Sequence, residues 1–319
     1  MKHSVLAGAA LVSVVMWLSP PASAGADVVQ WTLLHPATSP SARSHAWTAF
    51  DAAHGVVVLF GGFDGTSYLG DTWTWDGTTW TQRHPATSPP ARYSAGIAYD
   101  STHGRVVLFG GFDGTNYMND TWGWDGSNWH LLTPATSPSP RALLGSLTDD
   151  PAIGGLLLYG GYDATQELAD TWKWTGTNWK LFHPADSPGP LDPGLAYSPG
   201  IGAVVLFGGY DGVAWHGDTW WFNGTDWVIK FPPRSPIGRA GHAMAAVGGK
   251  VIIFGGYNNG DYYSDTWVYD GSTWHPGPNG PTARSALGLT LDTAHQNMVL
   301  FGGRNLNIPQ YFDETWILA

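Results

Sequence analysis

The 319-residue chain contains no cysteine. That absence excludes disulfides, thiolate metal centres, thiol nucleophiles and redox-active dithiols. Charge is also sparse. Asp, Glu, Lys and Arg make up 12% of the residues, and 25 acidic side chains outnumber 14 Lys and Arg, for a net charge of -11. An acidic balance of this kind argues against nucleic acid and anionic membranes as partners. No stretch is long and apolar enough for a membrane span. The apolar run Val5 to Leu18 follows Lys2 and His3 and precedes Ala22-Ser23-Ala24. It reads as a secretory signal, residues 1–24, cleaved after Ala24. The expected mature chain is one exported domain, residues 25–319, acting as a monomer. Gly-x-Ser-x-Gly, His-Glu-x-x-His and phosphate-loop motifs are missing. No catalytic residue, metal or cofactor is therefore expected.

Glycine, proline and tryptophan are plentiful, with 43, 23 and 19 copies. A Gly-Gly pair after an apolar run recurs at Gly61-Gly62, Gly110-Gly111, Gly160-Gly161, Gly208-Gly209, Gly255-Gly256 and Gly302-Gly303. The spacing of 47 to 50 residues is the period of a propeller blade. One period carries four strand signals. In the second copy, Ser94–Tyr99 is a small-residue strand (A), and Val106–Gly111 is a continuous apolar strand (B). Asp120–Asp125, with Trp122 and Trp124 alternating, is a third strand (C), and Trp129–Leu132 is a fourth (D). Short turns such as Asp51 to Gly55 join A to B, and Asp-Gly hairpins such as Asp76-Gly77 join C to D. The expected fold is all-β, with six blades of four antiparallel strands and the small-residue strand A innermost.

Tryptophans at the C and D positions, such as Trp73 with Trp80 and Trp172 with Trp179, fill the gap where blades diverge. Burying one such ring removes up to ~250 Å² from water, worth roughly 4–6 kcal/mol at most. The sixth copy ends after strand C, at Thr315 to Ala319, while Trp31 to Pro36 matches the D strand at Trp80 to Pro85. The N-terminal strand is expected to complete the last blade and remove an open edge.

The pattern of apolar run, Gly-Gly, Asp-Thr-Trp-x-Trp/Tyr-Asp, Trp and Pro-x-x-x-Pro-x-Arg resembles the kelch repeat, and the resemblance spans nearly all of residues 25–319. It implies a β-propeller in a family that includes galactose oxidase-like enzymes, sialic acid mutarotases and protein-binding scaffolds. The oxidase activity would need a cysteine cross-linked to a tyrosine beside copper, and the chain has none. Fold does not select among the remaining functions.

Antiparallel strands place the longer B–C loops and D–A connections at one end of the ring, so that face is the expected ligand site. Two groups of side chains mark it. Arg43, Arg92, Arg141, Arg239 and Arg284 recur where each D–A connection reaches strand A, with Leu191 in the fourth blade. Set around a channel mouth they would hold a carboxylate; alternatively each ties its blade to a neighbouring backbone carbonyl. Tyr68, Tyr117, Trp215 and Tyr262 lie six residues after a Gly-Gly pair, with Glu167 and Pro309 in the other two blades. Such rings stack on sugars, grip a peptide or pack their own loops. His45 and His242 start two of the inner strands, as candidate acid–base groups or interior histidines. Asp51/His54, Asp100/His103 and Asp292/His295 share a spacing that suits turn capping better than a metal. The expected activity is binding of a glycan or protein at this face. An enzyme acting on an acidic sugar, a mutarotase, epimerase or lyase, is the rival, and a purely structural cell-surface module is the third reading.

Overall fold

The computed structural model describes residues 29–319, so the expected signal segment lies outside the described residues. Those residues form six four-stranded antiparallel sheets in a ring. In the first blade, strands A to D are Thr48–Asp51, Val56–Phe63, Tyr68–Trp75 and Trp80–Arg83. Strand A of each blade packs against strand A of its neighbours, so these small-residue strands surround the axis. Strand B is almost wholly buried, with Val57, Val106, Leu156, Val204 and Val251 at zero exposure. This explains its uninterrupted apolar character.

The ring closes as expected. The last sheet runs Trp31–Leu34, Thr315–Leu318, Asn297–Phe301, Gly288–Asp292. Trp31 pairs with Leu318, and Leu34 pairs with Thr315. The C-terminal strand, otherwise an edge, is covered.

Three sets of contacts join blade to blade. In the first, the second glycine of each Gly-Gly pair donates its N–H to the carbonyl at the arginine position of the next blade. Gly62 reaches Arg92 at 2.9 Å, Gly161 reaches Leu191 at 3.1 Å and Gly303 returns to Arg43 at 2.9 Å. The first glycine has φ +67° at Gly61, and a Cβ there would lie 2.5 Å from the Arg92 carbonyl oxygen. Only glycine combines that backbone with that approach. In the second set, each D-strand indole donates to a C-strand threonine of the preceding blade. Trp129 reaches Thr72 at 2.9 Å, Trp80 reaches Thr315 at 2.9 Å, and Trp31 reaches Thr266 at 2.9 Å. Trp31 thus takes the full role of a D-strand tryptophan.

The third set explains the Asp-x-x-His turns. Buried Asp51, Asp100 and Asp292 accept from the Nδ1 of His54, His103 and His295 at 2.7–2.8 Å. Each imidazole lies over the C–D hairpin glycine of the next blade: His54 on Gly126, His103 on Gly176, His295 on Gly77. Ile153 and Ile201 occupy the same place over Gly224 and Gly271. The spacing serves inter-blade packing.

Deleting residues 29–36 should expose the Thr315–Leu318 edge and leave Thr266 without its indole. The melting temperature in scanning calorimetry is expected to fall by roughly 10 °C or more. An unchanged transition would show that closure does not depend on this strand.

Candidate ligand-binding face

The five arginines do lie together at the B–C loop end, but they do not open onto a channel. Each is 0–1% exposed. Arg43 donates to the Gly61 carbonyl at 3.0 Å and to both carboxylate oxygens of Asp71, while Trp73 donates its indole N–H to the same carboxylate at 2.7 Å. Arg92–Asp120–Trp122, Arg141–Asp170–Trp172, Arg239–Asp265–Trp267 and Arg284–Glu314–Trp316 repeat the arrangement. The guanidinium therefore clamps strands within its own blade, and the tie to the neighbouring blade is made by its backbone carbonyl. A guanidinium so buried and so held by its own blade is not presented to a ligand. The carboxylate partner sits 28 residues along the chain in the first blade, on strand C, which is why sequence periodicity alone did not reveal it.

The fourth blade shows what the clamp does. Leu191 stands in the arginine position, Asp218 is exposed, and the Trp220 indole N–H is buried without a partner. Asp192 there has another task. Blade three carries an extra residue before strand A, and its carboxylate accepts from the Leu144 N–H at 2.8 Å and the Ser146 hydroxyl at 3.3 Å.

The channel itself is closed at this end. Trp47 stands where four other blades have Gly96, Gly194, Ala243 and Gly288, each pairing with the residue before Gly-Gly or its equivalent. Its indole N–H donates to the Leu143 carbonyl of blade three at 3.0 Å.

The aromatic side chains form a half-buried belt. Tyr68 stacks on Phe63 of its own blade and against Phe112 of the next. Tyr117 does the same with Phe112 and Tyr162, and Trp215 with Tyr210 and Tyr257. Tyr262 packs on Tyr257. The sixth blade corrects the count by sequence. Its loop is two residues longer, so the partner of Arg304 in the paired position is Tyr311, and Pro309 is not at that position. Tyr311 packs on Phe63 and carries the belt across the chain closure.

Between blades six, one and two the belt opens into a notch of about 130 Å³ lined by His45, Phe63, Tyr68, Tyr93 and Arg304. Among the described residues the Arg304 side chain makes no ion pair, and its Nε is buried without a hydrogen-bond partner. His45, 8% exposed, meets Tyr93 edge to face at 4.9 Å and shares a 2.9 Å hydrogen bond between Nδ1 and the Ser44 hydroxyl. Burial, with help from the Arg304 charge, holds its pKa well below the usual imidazole value. At neutral pH it is an uncharged hydrogen-bonding group. Arg304 was not visible as a site residue because it directly follows Gly303, where the other five blades have Phe or Tyr and therefore no charge.

The other candidate proton carriers lie elsewhere. His242 is buried in the shaft against the ring of Phe207. Glu167, pushed up to about 8 by burial and by repulsion from Asp192, Asp211 and Asp163, sits between blades three and four. Neither lines the notch with His45.

Two outcomes follow for stability. Arg92→Met leaves Asp120, itself partly exposed, without its partner, so chemical denaturation should show a loss of about 3 kcal/mol. Burial favours the neutral form of Glu167 and Asp192, the latter raised to about 7, so the folded state holds extra protons between the usual carboxylate range and about 8. Stability therefore falls as pH rises through that window. For Asp71, Asp120, Asp170, Asp265 and Glu314 burial is outweighed by arginine and indole hydrogen bonds, and their pKa values are lowered. Their contribution is present above the usual carboxylate range and is lost as pH falls through the lowered values. Melting temperature should be higher near pH 5 than near pH 8.5, and should drop below about pH 4, with Glu167→Gln flattening the alkaline limb.

Comparison with known proteins agrees with this geometry. None of the curated proteins matches the chain. The Kelch motif profile matches residues 238–281, which cover Arg239, the Gly255-Gly256 pair, Asp265, Trp267 and Trp274 of the fifth blade. The other blades repeat that structure, Leu191 in the fourth being the one break in the arginine clamp, and the profile match to one blade together with the six-bladed ring supports a kelch-repeat β-propeller.

Proposed function

We propose that the protein is an exported binding module that takes a carboxylate-bearing glycan at the notch between blades six, one and two. The observation that carries this reading is Arg304: a guanidinium without an acidic partner, in an acidic protein, set among tyrosines and a neutral histidine. Its donors match a carboxylate. The volume of about 130 Å³ suits one charged group and the edge of one ring, not a whole chain. Tyr68, Tyr117 and Tyr311 of the adjoining belt supply flat, half-exposed faces on which further sugar rings stack. His45, Glu167 and His242 do not converge, which favours binding over proton-transfer chemistry on the same sugar.

Kelch propellers commonly bind proteins, and one observation favours a protein as the second reading. Val213, Ile237, Leu306 and Ile308 are exposed apolar side chains of B–C loops or D–A connections at this end of the ring.

A glycan array probed with residues 25–319 should show retention of uronic or sialic acid glycans over their neutral counterparts. Arg304→Met and Tyr68→Ala should each weaken that retention by roughly tenfold or more. Indifference to the sugar carboxylate would overturn the glycan reading and leave the protein ligand.

A further inference from the structure

We infer that the propeller shaft is a second ligand site, open at the A–B turn face, for an organic cation with an apolar body. The shaft encloses a cavity of about 440 Å³. That volume falls within the range of small-molecule sites. Trp47 closes it at one end, and the A–B turns rim the other, through Ala52, Ser101, Pro151, Pro199 and Thr293. It therefore opens on the opposite side of the ring from Arg304.

The register of the inner strands sets out its chemistry in levels. Phe50, Tyr99, Asp149 and Tyr197 pair with Val57, Val106, Leu156 and Val204, each four residues before its blade's first Gly-Gly glycine, so they share one level near the mouth. Two residues deeper lie Ile97, Leu147, Leu195, Met244 and Leu289. The upper level is thus three aromatic rings and one carboxylate, completed by Ala246 and Leu291; the lower is aliphatic apart from Thr48. Asp149 is the only carboxylate among the lining residues, and no Lys or Arg is there. The preferred charge is therefore positive, and an ammonium beside Asp149 lies at the level of the rings of Phe50, Tyr99 and Tyr197.

Two further features mark the shaft as a binding cavity. At its closed end His242 is 1% exposed, and neither ring nitrogen has a hydrogen-bond partner; the buried Thr48 hydroxyl is likewise unpartnered. Among the described residues Ser101 alone donates to Asp149, its N–H at 3.2 Å. Burial, with repulsion from Asp100 and Asp150, raises its pKa to about 6. A bound cation would offset the Asp149 penalty, and a polar group at the ligand's far end the His242 one. From the His242 level to the Asp149 level is four residues of strand, about 13 Å, so the ligand is elongated.

Phenethylamine, phenethyl alcohol and hydrocinnamate share a body and differ in charge, and titration calorimetry of residues 25–319 separates them. The amine should bind roughly tenfold more tightly than the alcohol, and hydrocinnamate should not bind. Asp149→Asn should remove the amine's advantage while leaving the alcohol unchanged. Ala245→Phe, which fills the shaft, should abolish both with the melting transition retained; Ala196→Phe serves if that variant unfolds. Arg304→Met, at the other face, should leave amine binding intact, which separates this site from the glycan notch. Equal affinity for amine and alcohol, binding that survives shaft filling, or no binding at millimolar amine would each overturn the inference.

Discussion

The hydrogen bond from the second glycine of each Gly-Gly pair to the carbonyl at the arginine position of the next blade is the contact on which the ring depends. It is made six times, including at Leu191, where the arginine side chain is missing. It needs a left-handed glycine and a backbone-to-backbone approach that any Cβ would block. The arginine side chain secures the other half of the joint. By clamping Gly61, Asp71 and Trp73 of its own blade, Arg43 fixes the segment whose carbonyl receives Gly303. Backbone and side chain of one residue thus serve two different blades.

Much of this was legible in the sequence. The Gly-Gly period gave six blades, the small residues of strand A placed it innermost, and Trp31 against a missing D strand predicted the closure. The reading failed where a partner lies far along the chain or where one blade departs from the period. The arginines read either as a ligand ring or as ties to a neighbouring carbonyl, because Asp71 and its equivalents belong to the strand-C motif and no signal links the two. Tyr311 was displaced from its expected place by a two-residue loop extension. Trp47 carried no warning, since one large residue among small ones has meaning only when six strands converge on an axis.

Departures from the repeat are also where the chemistry lies. Arg304 replaces an aromatic residue, Asp149 stands level with Phe50, Tyr99 and Tyr197, and His242 stands where Ala46 and Ala95 stand in the first two blades. A repeat that satisfies its own polar groups has nothing left for a ligand. Five blades carry the arginine–carboxylate–indole clamp, and the unpaired groups set at the two proposed sites, Arg304 Nε and the His242 ring nitrogens, stand where one copy differs.

The indole of Trp47 has a kinetic corollary. With one end of the axis stoppered, the propeller is a cup and not a pipe. Anything lodged inside must leave by the opening through which it arrived, so residence time is governed by a single gateway. Solvent displaced by an incoming molecule has to retreat past it. The two ends of the disc are thereby insulated from each other, and an occupant of one does not compete sterically with an occupant of the other.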